Sequence, residues 1–120
     1  MEIQGAFEHG MPLISVHVAG EEFRAILDTG FDGYVMLPRE EIARLNLREL
    51  GKTMYRTADG QTHEGRVYRG QIKWLGMTND AAIDSTDGDF ALVGMKLLQP
   101  LRLVMEPSLQ VLTLSTPALS

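Results

Sequence analysis

The sequence predicts a mainly β domain of short strands with one or two small helical pieces. Three observations carry that expectation: short apolar runs alternate as strands do, turn-forming Gly, Pro and Asp-Gly positions separate those runs, and the best helix candidate, with start signals and a small apolar face, is short. With 120 residues and 44% hydrophobic content, the chain can bury a core without covalent staples. No repeat, low-complexity tract or linker divides it, so one domain over 1–120 is expected, with a core from about residue 11 to 114.

Taken in order, residues 13–18 alternate with Ile14, Val16 and Val18 on one face, and Ala19-Gly20-Glu21 offers a turn into Phe23, Ala25 and Leu27. The second strand of that hairpin runs straight into Asp28. Residues 38–47 are the helix candidate: Pro38 suits a first turn, Glu40 and Glu41 favour the positive end, and Ile42, Ala43 and Leu45 make a small apolar face. Residues 52–58 and 61–74 flank Asp59-Gly60, which accepts the positive φ angles of a type I′ turn, so a long hairpin arm is expected. Residues 78–89 are polar and read as a loop. Phe90 to Val93 reads as a buried strand ending at Gly94, and 95–99 as one helical turn stopped by Pro100. Two last strands, 101–104 and 109–114, flank a turn at Glu106-Pro107-Ser108.

Composition excludes several chemistries. Without cysteine there is no disulfide, thiolate nucleophile or Cys-based zinc site. The start Met1-Glu2-Ile3-Gln4 lacks the basic and apolar regions of a signal peptide, and no apolar run approaches a membrane span, which predicts a soluble, cytoplasmic protein without a membrane partner. A net charge of -5 with scattered cations argues against nucleic acid. His9, His17 and His63 lack paired ligand spacing, and Asp80, Asp84, Asp87 and Asp89 do not match a calcium loop, so the reading is a solvated loop with no metal and no cofactor. Met36, Met54, Met77, Met95 and Met105 read as gap fillers of the core, and Tyr68, Ile72 and Trp74 as one packed face of a strand.

Two segments in combination carry the chemistry. Ala25-Ile26-Leu27-Asp28-Thr29-Gly30 is an apolar strand that delivers a carboxylate at its end, and Ala91-Leu92-Val93-Gly94 is an apolar strand ending in glycine before a helical turn. Asp-Thr-Gly alone arises by chance in roughly a few per cent of chains this long. With the Asp-Gly hairpin between the two segments, the ordered set resembles the retropepsin-like aspartic proteases, particularly the small ones of bacteria and archaea, over about residues 13–114.

That resemblance implies a closed, barrel-like single lobe with a psi-shaped active loop, a flap hairpin and one or two short helices. It makes Asp28 catalytic, places Ala58, Asp59, Gly60 and Gln61 in the flap, and gives Leu92, Val93 and Gly94 to the support beneath the active loop. It further implies that the Thr29 hydroxyl braces two loops across a dimer axis and that Gly30 lets backbone approach substrate. Phe31 replaces the small residue of many retroviral relatives and narrows or lines the cleft. Asp32 stands where a carboxylate contacts substrate backbone, but Met95 replaces its usual arginine, which leaves a solvated turn carboxylate as an equal reading.

Peptide hydrolysis by carboxyls needs one ionised group to take a proton from water and one protonated group to polarise the carbonyl. A chain with a single Asp-Thr-Gly supplies one of them, so the expected enzyme is a symmetric homodimer acting on an extended peptide. Two other classes fit the same residues: a dimeric peptide-binding or scaffolding module without turnover, and a monomeric β domain in which Asp28 caps a turn.

Overall fold

The alternation of Ile14, Val16 and Val18 with Ser15 and His17 does what a half-buried strand requires, and all three apolar side chains are buried. In the computed structural model, which describes residues 1–56 and 58–117, β3 (Met11–Val18) pairs antiparallel with β4 (Glu21–Leu27) through the turn at Ala19-Gly20. Both turn residues have positive φ, 51° and 81°. Phe23, Ala25 and Leu27 face the same core.

From there the chain closes a barrel. β5 (Val35–Pro38), β7 (Thr62–Trp74), β8 (Met77–Thr86) and β9 (Ala91–Val93) complete the order β3-β4-β9-β5-β8-β7, and β7 returns to β3 through His17↔Lys73 and Val18↔Ile72. Two strands overhang the ring: β2 (Ala6–Glu8) beside β3, and β6 (Arg48–Arg56) beside β7. Inside lie Ile14, Val16, Val35, Leu37, Ile83 and Val93, each at most 2% exposed. A separate antiparallel sheet in the order β1-β11-β10 joins β1 (Glu2–Gln4) to β10 (Arg102–Glu106) and β11 (Val111–Ser115). A 3-10 turn at Pro107–Leu109 separates the last two strands, where Pro107 fixes the entry.

The helix α1 spans Arg39–Leu45, shorter than 38–47. Pro38 ends β5 and caps the helix instead of opening its first turn, and Asn46 stops it in the left-handed region at φ 54°. Ile42 is buried and Leu45 packs on the core, but Ala43 is exposed. A second helix, α2 (Met95–Leu98), is the turn expected before Pro100. No helix among the described residues is long and apolar enough to cross a membrane.

Several expectations are corrected. Residues 78–89 are mostly strand, because Ile83 and Ser85 alternate into the barrel and β8 pairs with both β7 and β5. Asp80 and Asp84 therefore stand on a strand, with Asp80 meeting Arg69 at 2.8 Å, whereas Asp87 and Asp89 lie in the exposed bend that follows, where Asp87 meets Arg39 at 2.7 Å. Phe90 lies outside β9 and is 55% exposed. Met54 and Met77 are more than 60% exposed, and Met105 is also exposed, so they do not fill the core. Structure begins before residue 11, since β1 and β2 use the N-terminal segment.

The expected arm forms, with a different turn. β6 and β7 pair from Arg48↔Arg69 to Arg56↔Thr62, which leaves a five-residue connection, 57–61, in place of a two-residue type I′ turn. Thr57 lies outside the described residues. Only Gly60 of Asp59-Gly60 has positive φ, 84°, and the Asp59 carboxylate accepts from the Gln61 amide at 3.0 Å, an Asx-type turn. Beyond Val67 the arm leaves β8, and Ser85 marks the departure. Its buried hydroxyl accepts from the Arg66 amide at 3.0 Å and donates to the Arg66 carbonyl at 2.9 Å, replacing the next ladder bonds. Ser85→Ala strands both backbone groups and is expected to lower unfolding free energy by about 1–3 kcal/mol, read from the urea midpoint. An unchanged midpoint would show that water takes over both bonds.

Candidate active site

Asp28 follows the last residue of β4, and its position is set by the strand that β4 shares with β5. β9 lies between them, parallel to β4 and antiparallel to β5, with Val93 opposite both Leu27 and Val35. Residues 28–34 must therefore arch over the end of β9. Four backbone hydrogen bonds pin the arch: the Asp28 amide to the Val93 carbonyl at 2.9 Å, Gly94 to Tyr34 at 2.9 Å, Met95 to Phe31 at 2.7 Å and Lys96 to Gly33 at 3.0 Å. Val93 and Gly94 thus lie directly beneath the arch, while Leu92 pairs with Ile26 and Met36.

Within the arch, the Gly30 amide donates to Asp28 Oδ1 at 2.8 Å, and the Phe31 amide to the Asp28 carbonyl at 3.2 Å. The first bond holds the carboxylate plane. A side chain on Gly30 would begin 3.2 Å from the same oxygen, tight against the group it orients. Asp28 is partly buried, while Thr29, Gly30 and Asp32 are exposed.

Gly94 explains why the apolar strand must end in glycine. A Cβ there would lie 2.5 Å from the Gly33 carbonyl oxygen and from Phe31 Cδ2, and 2.7 Å from the Phe31 carbonyl oxygen. Phe31 folds back over this floor, since a Cβ on Gly33 would also strike its ring, at 2.6 Å. The aromatic side chain is thus accommodated by two missing side chains beneath it.

Asp84, which the sequence grouped with a solvated acidic stretch, belongs to this neighbourhood together with Gly33, Tyr34 and Lys96, to which the sequence assigned no role. The Asp84 carboxylate reaches within 2.9 Å of where a Gly33 Cβ would stand, and Lys96 Nζ lies 5.3 Å from the centre of the Tyr34 ring. The signal for Asp84 was the alternation around Ile83 and Ser85, hidden in a polar stretch. Met95 offers Asp32 no charge, and the electrostatic neighbour of Asp32 is another carboxylate, Asp84. The predicted flap residues Ala58, Asp59, Gly60 and Gln61 sit at the tip of the arm, all exposed. On its strands Tyr55 stacks on His63 at 5.5 Å and packs against Gly65. His17 lies 3.7 Å from Glu22 and His9 sits in a turn at φ 51°, so the three histidines do not converge.

Two predictions follow from packing and charge. Gly94→Ala overpacks rigid backbone and is expected to cost about 1–3 kcal/mol in denaturant unfolding; full stability with an unshifted loop would contradict the steric argument. Burial, then the charge of Asp32, holds the Asp84 carboxyl above the ordinary carboxylate range, against the opposing pull of Lys96. As pH rises the unfolded chain loses that proton first, so stability falls from the ordinary pKa up to the raised folded one and stays reduced above it. Asp84→Asn is expected to raise the melting temperature at neutral pH, with a gain that shrinks below about pH 4. A gain independent of pH would remove the charge from the explanation.

Comparison with known proteins agrees with this geometry. Residues 14–100 match the family described as "gag-polyprotein putative aspartyl protease". A retropepsin-like aspartic protease from Rickettsia conorii superposes with a TM-score of 0.73 at 21% identity, covering 97% of this chain and 91% of that one. EIAV protease in complex with the inhibitor HBY-793 gives a TM-score of 0.66 at 22% identity, covering 76% and 88%. Simian foamy virus (mac) protease gives 0.55 at 17% identity, covering 72% and 91%. No curated protein matches by sequence.

Proposed function

The chain belongs to the retropepsin-like aspartic protease family, and from that premise we propose that it is an aspartic endopeptidase whose active site forms when two copies bring their Asp28 carboxyls together. The observation that carries this reading is the orientation of Asp28 by the Gly30 amide at the end of a pinned arch. A residue that merely capped a turn would not need four further bonds and a side-chain-free floor beneath it. One domain over 1–120 supplies half of the site.

In the paired site one Asp28 is ionised and the other protonated, because two close carboxylates resist joint ionisation and share a proton. The ionised carboxylate takes a proton from water as the water oxygen bonds to the scissile carbonyl carbon. The protonated one gives its proton to the carbonyl oxygen, which yields a tetrahedral diol. Collapse then breaks the C–N bond, with a proton delivered to the leaving nitrogen. The carboxyls complete the cycle with their proton inventory restored, so the chemistry calls for no metal or cofactor. Thr29 braces the two loops, Gly30 and Asp32 face substrate backbone, Phe31 shapes the wall, and the tip at 58–61 closes over an extended peptide held by β-type hydrogen bonds.

Cleavage of a diverse peptide library between mildly acidic and neutral pH tests the reading, with products identified by mass spectrometry. Asp28→Asn is expected to lower kcat by at least about 10³-fold while leaving the fold intact. Retained cleavage in that variant would end the proposal. Peptide binding without product, unchanged by Asp28→Asn, would identify a binding module on the same fold.

A further inference from the structure

The outer face of the barrel changes character where it approaches Asp28. On β4, Glu22, Arg24 and Ile26 point away from the core, since Phe23, Ala25 and Leu27 fill the alternate positions inside. The first two are charged and exposed, as an outward strand face usually is, but the third is apolar. From Ile26 the ladder crosses the wall through residues of that same outer face: Ile26 stands opposite Leu92, Leu92 opposite Met36, Met36 opposite Asp84, and Asp84 opposite Val67. Each is partly exposed. Four of them are apolar and one is a carboxylate.

The arm carries this face onward. Val67, Gly65 and His63 share it on β7, and Tyr55 stands opposite His63 with the two rings stacked. Lys52, Arg56, Glu64 and Arg66 occupy the other side of the arm. A partly exposed apolar row that begins two residues before Asp28, and that an aromatic pair extends, is a surface for an extended chain to lie on. Within the row, only Asp84 can distinguish one substrate charge from another.

The surroundings of Asp84 leave its charge unanswered. Asp80 and Asp87 are held by Arg69 and Arg39, whereas Asp84 has no ion-pair partner among the described residues. Lys96 is the near cation, but its ammonium lies over the Tyr34 ring, 5.3 Å from the centre, and forms no ion pair with the carboxylate. The Asp84 carboxylate and the Phe31 ring border one point, 2.9 Å and 2.6 Å from where a Gly33 Cβ would stand, so a group that reaches the carboxylate passes beside an aromatic ring. A carboxylate set among apolar side chains loses hydration, and an arriving cation offsets that loss.

We propose that Asp84 is a specificity-determining residue that selects peptides carrying a cationic side chain, arginine or lysine, on the side that lies against this row. The inference rests on the peptidase reading and names the class of substrate it takes. The aliphatic stem of the side chain packs on Met36 and Val67, its charged head reaches Asp84, and the Phe31 ring flanks the cation. The position along the peptide is bounded. In the order β4-β9-β5-β8, Asp84 stands three strands from Ile26, roughly 14 Å around the wall at about 4.8 Å per strand. At about 3.4 Å per extended residue, the cation falls within about four residues of the scissile bond.

A positional-scanning peptide library tests this in two modes, cleavage by the unaltered protein and binding to the Asp28→Asn protein. At one position within that span, Arg or Lys is expected to be favoured over Leu by at least about tenfold. Asp84→Asn removes the charge at nearly constant shape and is expected to abolish the preference. Asp32→Asn is expected to leave the preference in place, and Lys96→Met, which removes the competing cation, to sharpen it. Cleavage with no cationic preference, or with one that Asp84→Asn does not touch, would overturn the inference while the peptidase reading stands. A merely structural Asp84 would, on substitution, lower cleavage of cationic and Leu peptides alike, and that result would also overturn it. Cationic selection in binding that Asp84→Asn abolishes, without cleavage by the unaltered protein, would uphold the inference about Asp84 and remove catalysis. Neither binding nor cleavage would end both.

Discussion

Gly94 has no room for a side chain, and the rest of the site is built around that fact. β4 and β5 both pair with β9, so the segment joining them has to cross the end of the strand it flanks. It can do so at hydrogen-bonding distance only because nothing projects from Gly94 into the Gly33 and Phe31 backbone. The carboxylate at residue 28 thereby inherits its position from Leu27, Val35 and Val93, three buried side chains of the barrel core. A rigid interior transmits placement. The site is accurate because it stands on packed strands instead of a free loop.

The charges divide into two kinds. Arg24 with Glu8, Arg39 with Asp87 and Arg44 with Glu21 are exposed pairs, screened by water and worth little to stability. Asp84 is different because it is half-buried, faces another carboxylate and has one cation, Lys96, opposing the shift. Its unfavourable ionisation lies beside the arch and not in the distant shell. Proteins retain such a cost where the charge has a use.

Legibility followed the strength of local patterns. The hairpin into Asp28 was readable because Ile14, Val16, Val18, Phe23, Ala25 and Leu27 keep a strict period of two, and the order of Asp28-Thr29-Gly30, hairpin and Gly94 carried the family. What was missed has a common cause. β8 is paired by β7 from Met77 to Asp84 and by β5 from Ile83 to Thr86, yet Asn79, Asp80 and Asp84 made its segment look like a loop; pairing partners far apart in sequence overrode local composition. Exposed Phe90 and Met54 show the reverse error, since apolar character alone does not place a residue inside. β1 was invisible because three residues carry no periodicity, and only β11, more than a hundred residues away, makes it a strand.

The Ser85 hydroxyl has one more consequence. By satisfying both backbone groups of Arg66 from the side, it ends the barrel's hydrogen bonding cleanly at the point where the arm departs. The arm is a branch and not a continuation of the wall. Residues removed or added in matched pairs on β6 and β7 beyond this point alter its reach by about 3.4 Å per pair and leave every barrel ladder as it was. A lineage carrying this junction can change the length of its arm by small insertions and deletions without solving the fold again, so arm length is free to vary where the barrel is not.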